Sequence, residues 1–326
     1  MNQKSTTYSP PRPTLLPPPK RGRARGEKLI ISLWKFSRPH TIIGTSLSVL
    51  AIYVIAVAIV QDTWSFTSLF DLAIAWFACL CGNVYIVGLN QLEDIAIDRI
   101  NKPHLPLASG DFSQNQGQWI VSIAGVFALI LATMGGDWLL ATIAISLFIG
   151  TAYSFPPIRL KRFPLLAALC IFTVRGIIVN LGLFLHFNNT LGRSESIPAS
   201  MVVLTLFILV FTIAIAIFKD VPDMEGDRQY EIVTFTLIIG KTAIFQLSCG
   251  IVSICYLAMI GTAIAGLAGV NPWLLGFGHC ILLGLLWWRS QGVNLEDRNE
   301  IASFYQFIWK LFFLEYFLFP TACWLG

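Results

Sequence analysis

Charged residues are scarce in this chain of 326 residues. Asp, Glu, Lys and Arg make up 12% of it, whereas hydrophobic residues make up 56%. A soluble domain carries about 25% charged residues, so this composition excludes a soluble enzyme. The net charge of +4 is modest, and we expect no nucleic-acid partner. The long apolar runs predict one domain that crosses a membrane many times.

Patterns of soft metal ligands are also missing from the sequence. The seven cysteines all stand in apolar segments without a Cys-x-x-Cys pair, and the four histidines are scattered. Zinc sites need clustered Cys or His ligands. We therefore expect no zinc site and interpret the cysteines as small buried hydrophobic residues.

The N-terminal 30 residues lack the apolar core of a secretory signal. They are rich first in proline and then in Lys and Arg. We predict a disordered basic tail over residues 1–30 that contacts anionic lipid headgroups. A transmembrane domain follows over residues 31–326. A chloroplast transit peptide is the alternative interpretation of the tail.

The apolar runs are long enough for nine membrane-spanning helices, each of which needs ~20 residues. We therefore predict an all-α bundle with nine transmembrane helices. Their approximate bounds are 40–60, 68–90, 118–135, 138–155, 164–186, 199–218, 243–267, 272–288 and 304–325.

The distribution of Lys and Arg predicts the orientation of this bundle. With the N-terminus in the cytoplasm, nearly all basic residues fall in the tail and in cytoplasmic loops. Only Arg193 lies clearly on the other side, while Arg175 and Lys310 lie within spans. Removing or adding one span would scramble this asymmetry.

Two acidic clusters follow apolar stretches and fall on the same, cytoplasmic side. In the first, Asn90, Asp94 and Asp98 are four residues apart, so a continuous helix places them on one stripe. The second cluster follows the stretch 199–218 and contains Asp220, Asp223 and Asp227. Carboxylates this close repel each other unless a cation lies between them.

The donor set of the two clusters is oxygen only, which favours Mg²⁺. Mg²⁺ usually takes one or two protein carboxylates together with phosphate oxygens and water. The sequence therefore predicts Mg²⁺ bound between the clusters together with a diphosphate. The alternative is that these are ordinary solvated loop acids. Glu93 and Glu225 lie nearby but off the stripe, and we assign them no direct contact with the metal.

Basic residues flank both clusters and are candidates for neutralising a diphosphate. The candidate diphosphate ligands are Lys102, Arg159, Lys161, Arg162, Lys219 and Arg228. The alternative for each is a role in membrane orientation alone.

Two polar residues, Arg175 and Asn180, fall deep within the predicted fifth span. An arginine there costs at least ~2.5 kcal/mol on insertion scales, so it is a candidate for function. It could pair with a carboxylate on an aromatic acceptor or with an acidic residue in the bundle.

These motifs resemble those of the UbiA-type intramembrane prenyltransferases, and among them the homogentisate prenyltransferases. The superfamily pattern is Asn90-x-x-x-Asp94-x-x-x-Asp98 with a later Asp223-x-x-x-Asp227. The narrower resemblance rests on segments 99–110, 153–162, 174–180 and 219–227, with 36–41 and 303–310 at the two ends. Glu93 departs from the pattern, because family members often carry an aromatic residue there.

The resemblance implies a nine-helix bundle with a central cavity open laterally to lipid. It implies that Mg²⁺ and a polyprenyl diphosphate bind at the acidic clusters, with phytyl diphosphate as the expected donor. Homogentisate would be the acceptor, with Arg175, Asn180 and Tyr153 in its pocket, and the reaction would serve tocopherol biosynthesis. The membrane would be the thylakoid or plasma membrane of a cyanobacterium, or a plastid membrane.

Two other interpretations remain at this point. One is a member of the same superfamily with another acceptor or chain length, in plastoquinone, menaquinone or chlorophyll synthesis. The other is a secondary transporter, although transporters place their polar residues near the membrane midplane. Here the acids cluster at one face instead.

Overall fold

The computed structural model is all α-helical over the residues that it describes, which are 25–60, 66–192, 196–229 and 234–326. Within these ranges, the side chains of Arg25, Glu27, Phe66, Pro164 and residues 225–227 are also outside the description. The predicted tail thus lies largely outside it. An amphipathic helix begins at Arg25, which is before the boundary predicted at residue 30.

The helices run in chain order along the described ranges. They are α1 (Arg25–Phe36), α2 (Pro39–Val60), α3 (Phe66–Glu93), α4 (Ile95–Asn101), α5 (Pro106–Ser109), α6 (Gln114–Met134), α7 (Asp137–Ser154), α8 (Pro164–Phe172), α9 (Val179–Thr190), α10 (Ala199–Phe218), α11 (Met224–Gln229), α12 (Phe235–Ile239), α13 (Lys241–Ala265), α14 (Pro272–Ser290) and α15 (Arg298–Trp324). A 3₁₀ turn spans Leu160–Arg162, and a π-helical turn, Thr173–Ile178, joins α8 to α9.

Seven of the helices described are long and apolar enough to cross a membrane. They are α2, α3, α6, α7, the stretch from α8 to α9, α10 and α13. The predicted stretches 272–288 and 304–325 correspond to α14 and α15, which are not in this group. Polar side chains such as His279, Lys310 and Glu315 dilute their apolar character.

Glycines let several of the helices approach each other closely. A Cβ atom on Gly125 of α6 would lie 2.7 Å from the Tyr85 ring of α3, and one on Gly150 of α7 would lie 2.7 Å from Ile86. A Cβ on Gly176, in the π turn, would lie 2.9 Å from the Cα of Leu209 in α10. The π turn is therefore pressed directly against α10, which is rich in buried residues.

The first acidic motif lies on two helices and not on one continuous helix. α3 ends at Glu93, Asp94 has φ −115° and ψ 18°, and α4 begins at Ile95. The Asp98 amide still donates to the Asp94 carbonyl at 2.8 Å. The predicted single helix is thus wrong at Asp94, but the break is small enough to keep the motif on one side.

Candidate active site

A cavity of about 1380 Å³ lies between the helices and contains most of the predicted site residues. Its polar end is formed by the end of α3, α4, the segment 155–163 and the end of α10. Its interior is formed by α2, the π turn and α15. The predicted residues in its wall are Asn90, Asp94, Asp98, Lys102, Tyr153, Arg159, Lys161, Arg162, Arg175, Lys219, Asp220 and Asp223.

The first acidic cluster is held by hydrogen bonds at the break between α3 and α4. Asn90 Nδ2 donates to Asp94 Oδ2 at 3.0 Å, and an Arg38 guanidinium nitrogen donates to Asn90 Oδ1 at 3.1 Å. Asp98 is buried, and its Oδ2 atom has no hydrogen-bond partner among the described residues. Burial raises the pKa of Asp98 to about 6, although the cations Arg38 and Lys102 oppose this shift. Asp98 is therefore a buried carboxylate with one oxygen left to bind a cation.

The second cluster faces the first across the cavity. Lys102, at the end of α4, forms an ion pair with Asp223. Asp220 lies beside Lys219, with 3.7 Å between Nζ and Oδ1. Burial raises the pKa of Asp220, and Lys219 opposes that shift. The backbone of Asp227 belongs to α11, but its side chain is outside the description.

The basic residues of the segment 155–163 reach back to the first cluster. Arg159 contacts Asp94 Oδ1 at 3.2 Å, and Lys161 Nζ contacts Asp94 Oδ2 at 2.7 Å. Burial lowers the pKa of Lys161, although Asp94 opposes this shift. Arg162 lines the cavity while donating to the Pro157 carbonyl at 3.0 Å. Arg228 is exposed on α11 and is not among the lining residues.

The polar end has the donor set that Mg²⁺ prefers. Asn90 and the Asp residues offer oxygen atoms, including the unpaired Asp98 Oδ2. Among the described side chains, no group of three acids, histidines or cysteines converges on one point. Mg²⁺ does not need one, since it takes one or two carboxylates and fills its other positions with phosphate oxygens and water. The residues present therefore fit a magnesium–diphosphate complex.

The interior of the cavity contains Arg175 against an aromatic wall. The Cζ atom of Arg175 lies 4.6 Å from the ring centroid of Trp309 and 5.7 Å from that of Phe312. The His40 ring also contacts Trp309 edge-on, at 5.0 Å between centroids. Arg175 has no acidic partner within salt-bridge distance in the described part of the chain. This leaves a cation in a membrane-spanning segment that lines the cavity.

Two of the three predicted acceptor residues have other surroundings. Asn180 is buried outside the lining, and its Nδ2 donates to the carbonyls of Arg175 at 3.0 Å and Gly176 at 2.8 Å. The Asn180 side chain therefore bonds to the backbone of the π turn instead of facing the cavity. Tyr153 lines the cavity, and its hydroxyl accepts a hydrogen bond from Lys219 at 3.4 Å. Tyr153 thus contacts the polar end more closely than the interior.

Sequence reasoning gave no role to several residues that form the cavity wall. These are Arg38, His40, Tyr305, Trp309, Phe312 and Tyr316. The Arg38-Pro39 pair offered one signal. Proline is common at the first position of a helix, so the arginine before it is expected to lie at the junction between two helices. Tyr305 and Trp309 fell within segment 303–310 of the family resemblance but received no role, since bilayer-facing and cavity-facing aromatics look alike in a sequence.

Comparisons with known proteins agree with this geometry. The model of the UbiA prenyltransferase family matches residues 47–311. The homogentisate phytyltransferase of Synechocystis sp. is 60% identical over 297 residues, covering 91% of this chain and 96% of that protein. The homogentisate geranylgeranyltransferase of Hordeum vulgare is 39% identical over 90% of this chain and 72% of its own length.

The fold is also that of a solved relative. The structure of a UbiA homolog from Archaeoglobus fulgidus, bound to GPP and Mg²⁺, has a TM-score of 0.60 and 16% sequence identity. It covers 89% of this chain and 99% of that one. By the match of the family model over most of its length, this chain belongs to the UbiA prenyltransferase family.

Proposed function

We propose that this protein transfers a prenyl group from its diphosphate to homogentisate with loss of CO₂. The preferred prenyl group in this proposal is phytyl. The product is the methyl-phytyl-benzoquinol precursor of tocopherol. The observation that carries the proposal is a single cavity with acids and lysines at one end and an arginine on an aromatic wall inside. The 60% identity with a homogentisate phytyltransferase supports the choice of acceptor and chain.

The polar end binds the diphosphate in this proposal. Lys102, Lys161 and Lys219 each lie beside an Asp and face the cavity. Arg159, Arg162 and Arg228 are the further candidates, although Arg228 lies outside the lining. A bound diphosphate would draw these cations to its oxygens, where they stabilise the charge that develops as it departs.

Magnesium is the cofactor in this proposal. Asn90, Asp94, Asp98, Asp220, Asp223 and Asp227 are its candidate ligands. The bound metal supplies positive charge that neutralises the leaving diphosphate. Lys102 and Lys161 offset part of the acidic charge, and the unpaired Asp98 oxygen supports a cation site at this position.

The cavity interior binds the acceptor and the prenyl chain. The bond between the allylic carbon and the diphosphate oxygen breaks, and its electron pair leaves with the diphosphate. A ring carbon of homogentisate attacks the allylic carbon, and the ring loses the proton from the attacked position. The side-chain carboxylate leaves as CO₂, and a proton takes its place. The buried aromatic wall excludes water, which would otherwise quench the allylic cation.

The protein is an integral membrane protein, as its family and the seven long apolar helices among its described residues indicate. We further propose that α14 and α15 complete nine spans and that the cavity opens laterally to lipid. The site then faces the cytoplasm or stroma, because the flanking loops contain most of the Lys and Arg. The membrane would be the thylakoid or plasma membrane of a cyanobacterium, or a plastid membrane.

The length of the prenyl chain is the remaining alternative, since a relative that is 39% identical is a homogentisate geranylgeranyltransferase. The test is turnover by purified enzyme with Mg²⁺, homogentisate and either phytyl, geranylgeranyl or solanesyl diphosphate, with products weighed by mass spectrometry. We expect the phytyl product to dominate and EDTA to abolish it. A dominant geranylgeranyl or solanesyl product would reassign the chain, and no prenylated product from any donor would refute the function.

A further inference from the structure

The first helix, α1, has three chemically different faces. Leu29, Ile30, Leu33 and Trp34 are all exposed, with 39% to 69% of each side chain accessible. Residues four apart on a helix share a face, so these four side chains form one apolar strip. Nothing in the described part of the chain covers that strip. Lys28 and Lys35, seven residues apart, share a different face.

The remaining face attaches α1 to the polar end of the bundle. Ser32 and Phe36 are buried. The Ser32 hydroxyl donates to Asp111 Oδ2 at 3.3 Å, and Gln91 Nε2 donates to the Phe36 carbonyl at 2.7 Å. Gln91 is the neighbour of Asn90, so α1 lies at the level of the first acidic cluster.

This attachment also fixes the depth of α1 relative to the membrane. α2 begins to span directly after α1, at Pro39, and the chain turns between them at Arg38, which has a φ of 53°. α1 has 12 residues, too few to cross a bilayer, which takes ~20. It therefore lies where α2 enters the membrane, with its apolar strip turned away from the bundle.

We propose that α1 is an interfacial helix that docks on the bilayer surface. Its apolar strip inserts at the boundary between lipid headgroups and acyl chains, and Lys28 meets anionic headgroups. Short helices with one apolar and one basic face bind membranes in this way. The preceding sequence adds Lys20, Arg21 and Arg23, so its charge matches an anionic surface.

The docking has a consequence for the cavity. Lys35 lies in the cavity wall, and Arg38, two residues beyond α1, donates to Asn90. Lipid contact on the outer side of α1 therefore holds the wall of the polar end in place. The docking itself does not depend on which reaction the cavity performs.

The test places a photoreactive benzoylphenylalanine at Ile30 in the full-length protein. A matched variant has it at Lys28, two residues away on the basic face. Both proteins are reconstituted in nanodiscs of phosphatidylcholine and phosphatidylglycerol, irradiated and analysed by mass spectrometry. We expect acyl-chain adducts at Ile30 and their loss at Lys28. Leu33 serves as a second apolar position should the Ile30 variant be poorly produced.

Three results would overturn the proposal. Adducts from Ile30 to residues 1–24 would mean that the chain covers its own strip. Adducts to a second copy would mean that the strip is a protein interface. Equal acyl adducts at Lys28 and Ile30 would mean that α1 has no fixed orientation on the bilayer. None of these readouts requires turnover, so failure here is distinguishable from failure of the proposed reaction.

Discussion

Lys102 and Asp223 form an ion pair although 121 positions separate them in the chain. Lys102 follows the first acidic motif and Asp223 is part of the second, so the pair joins the two motifs across one cavity. The lysine lies between two groups of carboxylates, with Asp223 of the second motif on one side and Asp98 of the first on the other. A diphosphate would offer Lys102 a more highly charged partner in the same place.

Replacing Lys102 with Ala is expected to lower the turnover rate about 100-fold, the usual cost of removing one donor from a developing anion. The measurement is the rate of prenyl transfer at saturating acceptor. Lys241→Ala is the matched control, because Lys241 pairs with the exposed Glu296 at 2.8 Å outside the cavity. A Lys102→Ala enzyme that keeps the wild-type rate would remove Lys102 from the diphosphate site.

Asp98→Asn should separate stability from magnesium binding. Its carboxylate is buried with one unpaired oxygen, and burying such a charge costs free energy. We therefore expect the variant to have an unchanged or higher melting temperature in EDTA. It should also lose both activity and the stabilisation that Mg²⁺ with diphosphate gives the wild type. The readout is thermal unfolding in detergent with and without these ligands.

An Asp98→Asn protein that is still stabilised by Mg²⁺ and diphosphate would show that this oxygen is not a metal ligand. Asp111→Asn is a suitable control, since Asp111 is exposed and contacts Ser32 of α1 instead of the cavity.

Arg175→Gln is expected to weaken the binding of homogentisate selectively. A hydrogen bond to a charged group contributes about 2 kcal/mol, so the KM for homogentisate should rise roughly 30-fold. The KM for the prenyl diphosphate should stay constant. Equal effects on both substrates would instead indicate that Arg175 only supports the fold through Trp309.

Gly176→Ala should destabilise the protein, because the new Cβ would meet the Leu209 backbone at 2.9 Å. Overpacking of this kind costs about 1–3 kcal/mol. Gly250→Ala in α13 is the matched control, with no neighbouring atom within 4 Å. The melting temperature in detergent should fall for the first variant only. A fall in both would point to a general intolerance of alanine at glycine positions.

The sequence predicted the helical class and most of the acidic residues that line the cavity, because both depend on local patterns. Apolar length identified the seven helices that are long and apolar enough to cross a membrane in the described part of the chain, and the spacing of Asn90, Asp94 and Asp98 pointed to the first motif. The break at Asp94 was missed because Asp, although it favours helix starts, is also tolerated inside helices at a cost below about 1 kcal/mol, so its presence alone does not predict a break.

The interior of the site could not be predicted in the same way. Arg175 was identified from its position in an apolar run, but its contact with Trp309 joins α15 to the π turn. Such a contact depends on how distant helices pack, and no local pattern records it. Asn180 was chosen for the same reason as Arg175, yet its side chain satisfies backbone carbonyls.

The π turn at Thr173–Ile178 makes the direction of the Arg175 side chain sensitive to the deletion of a single residue. A π turn is a helix that has accommodated one residue too many. Deleting one residue there would restore regular winding and change the direction in which the side chains of the turn project. The guanidinium would then leave the aromatic wall, and Val174, which lines the cavity from the same turn, would move with it.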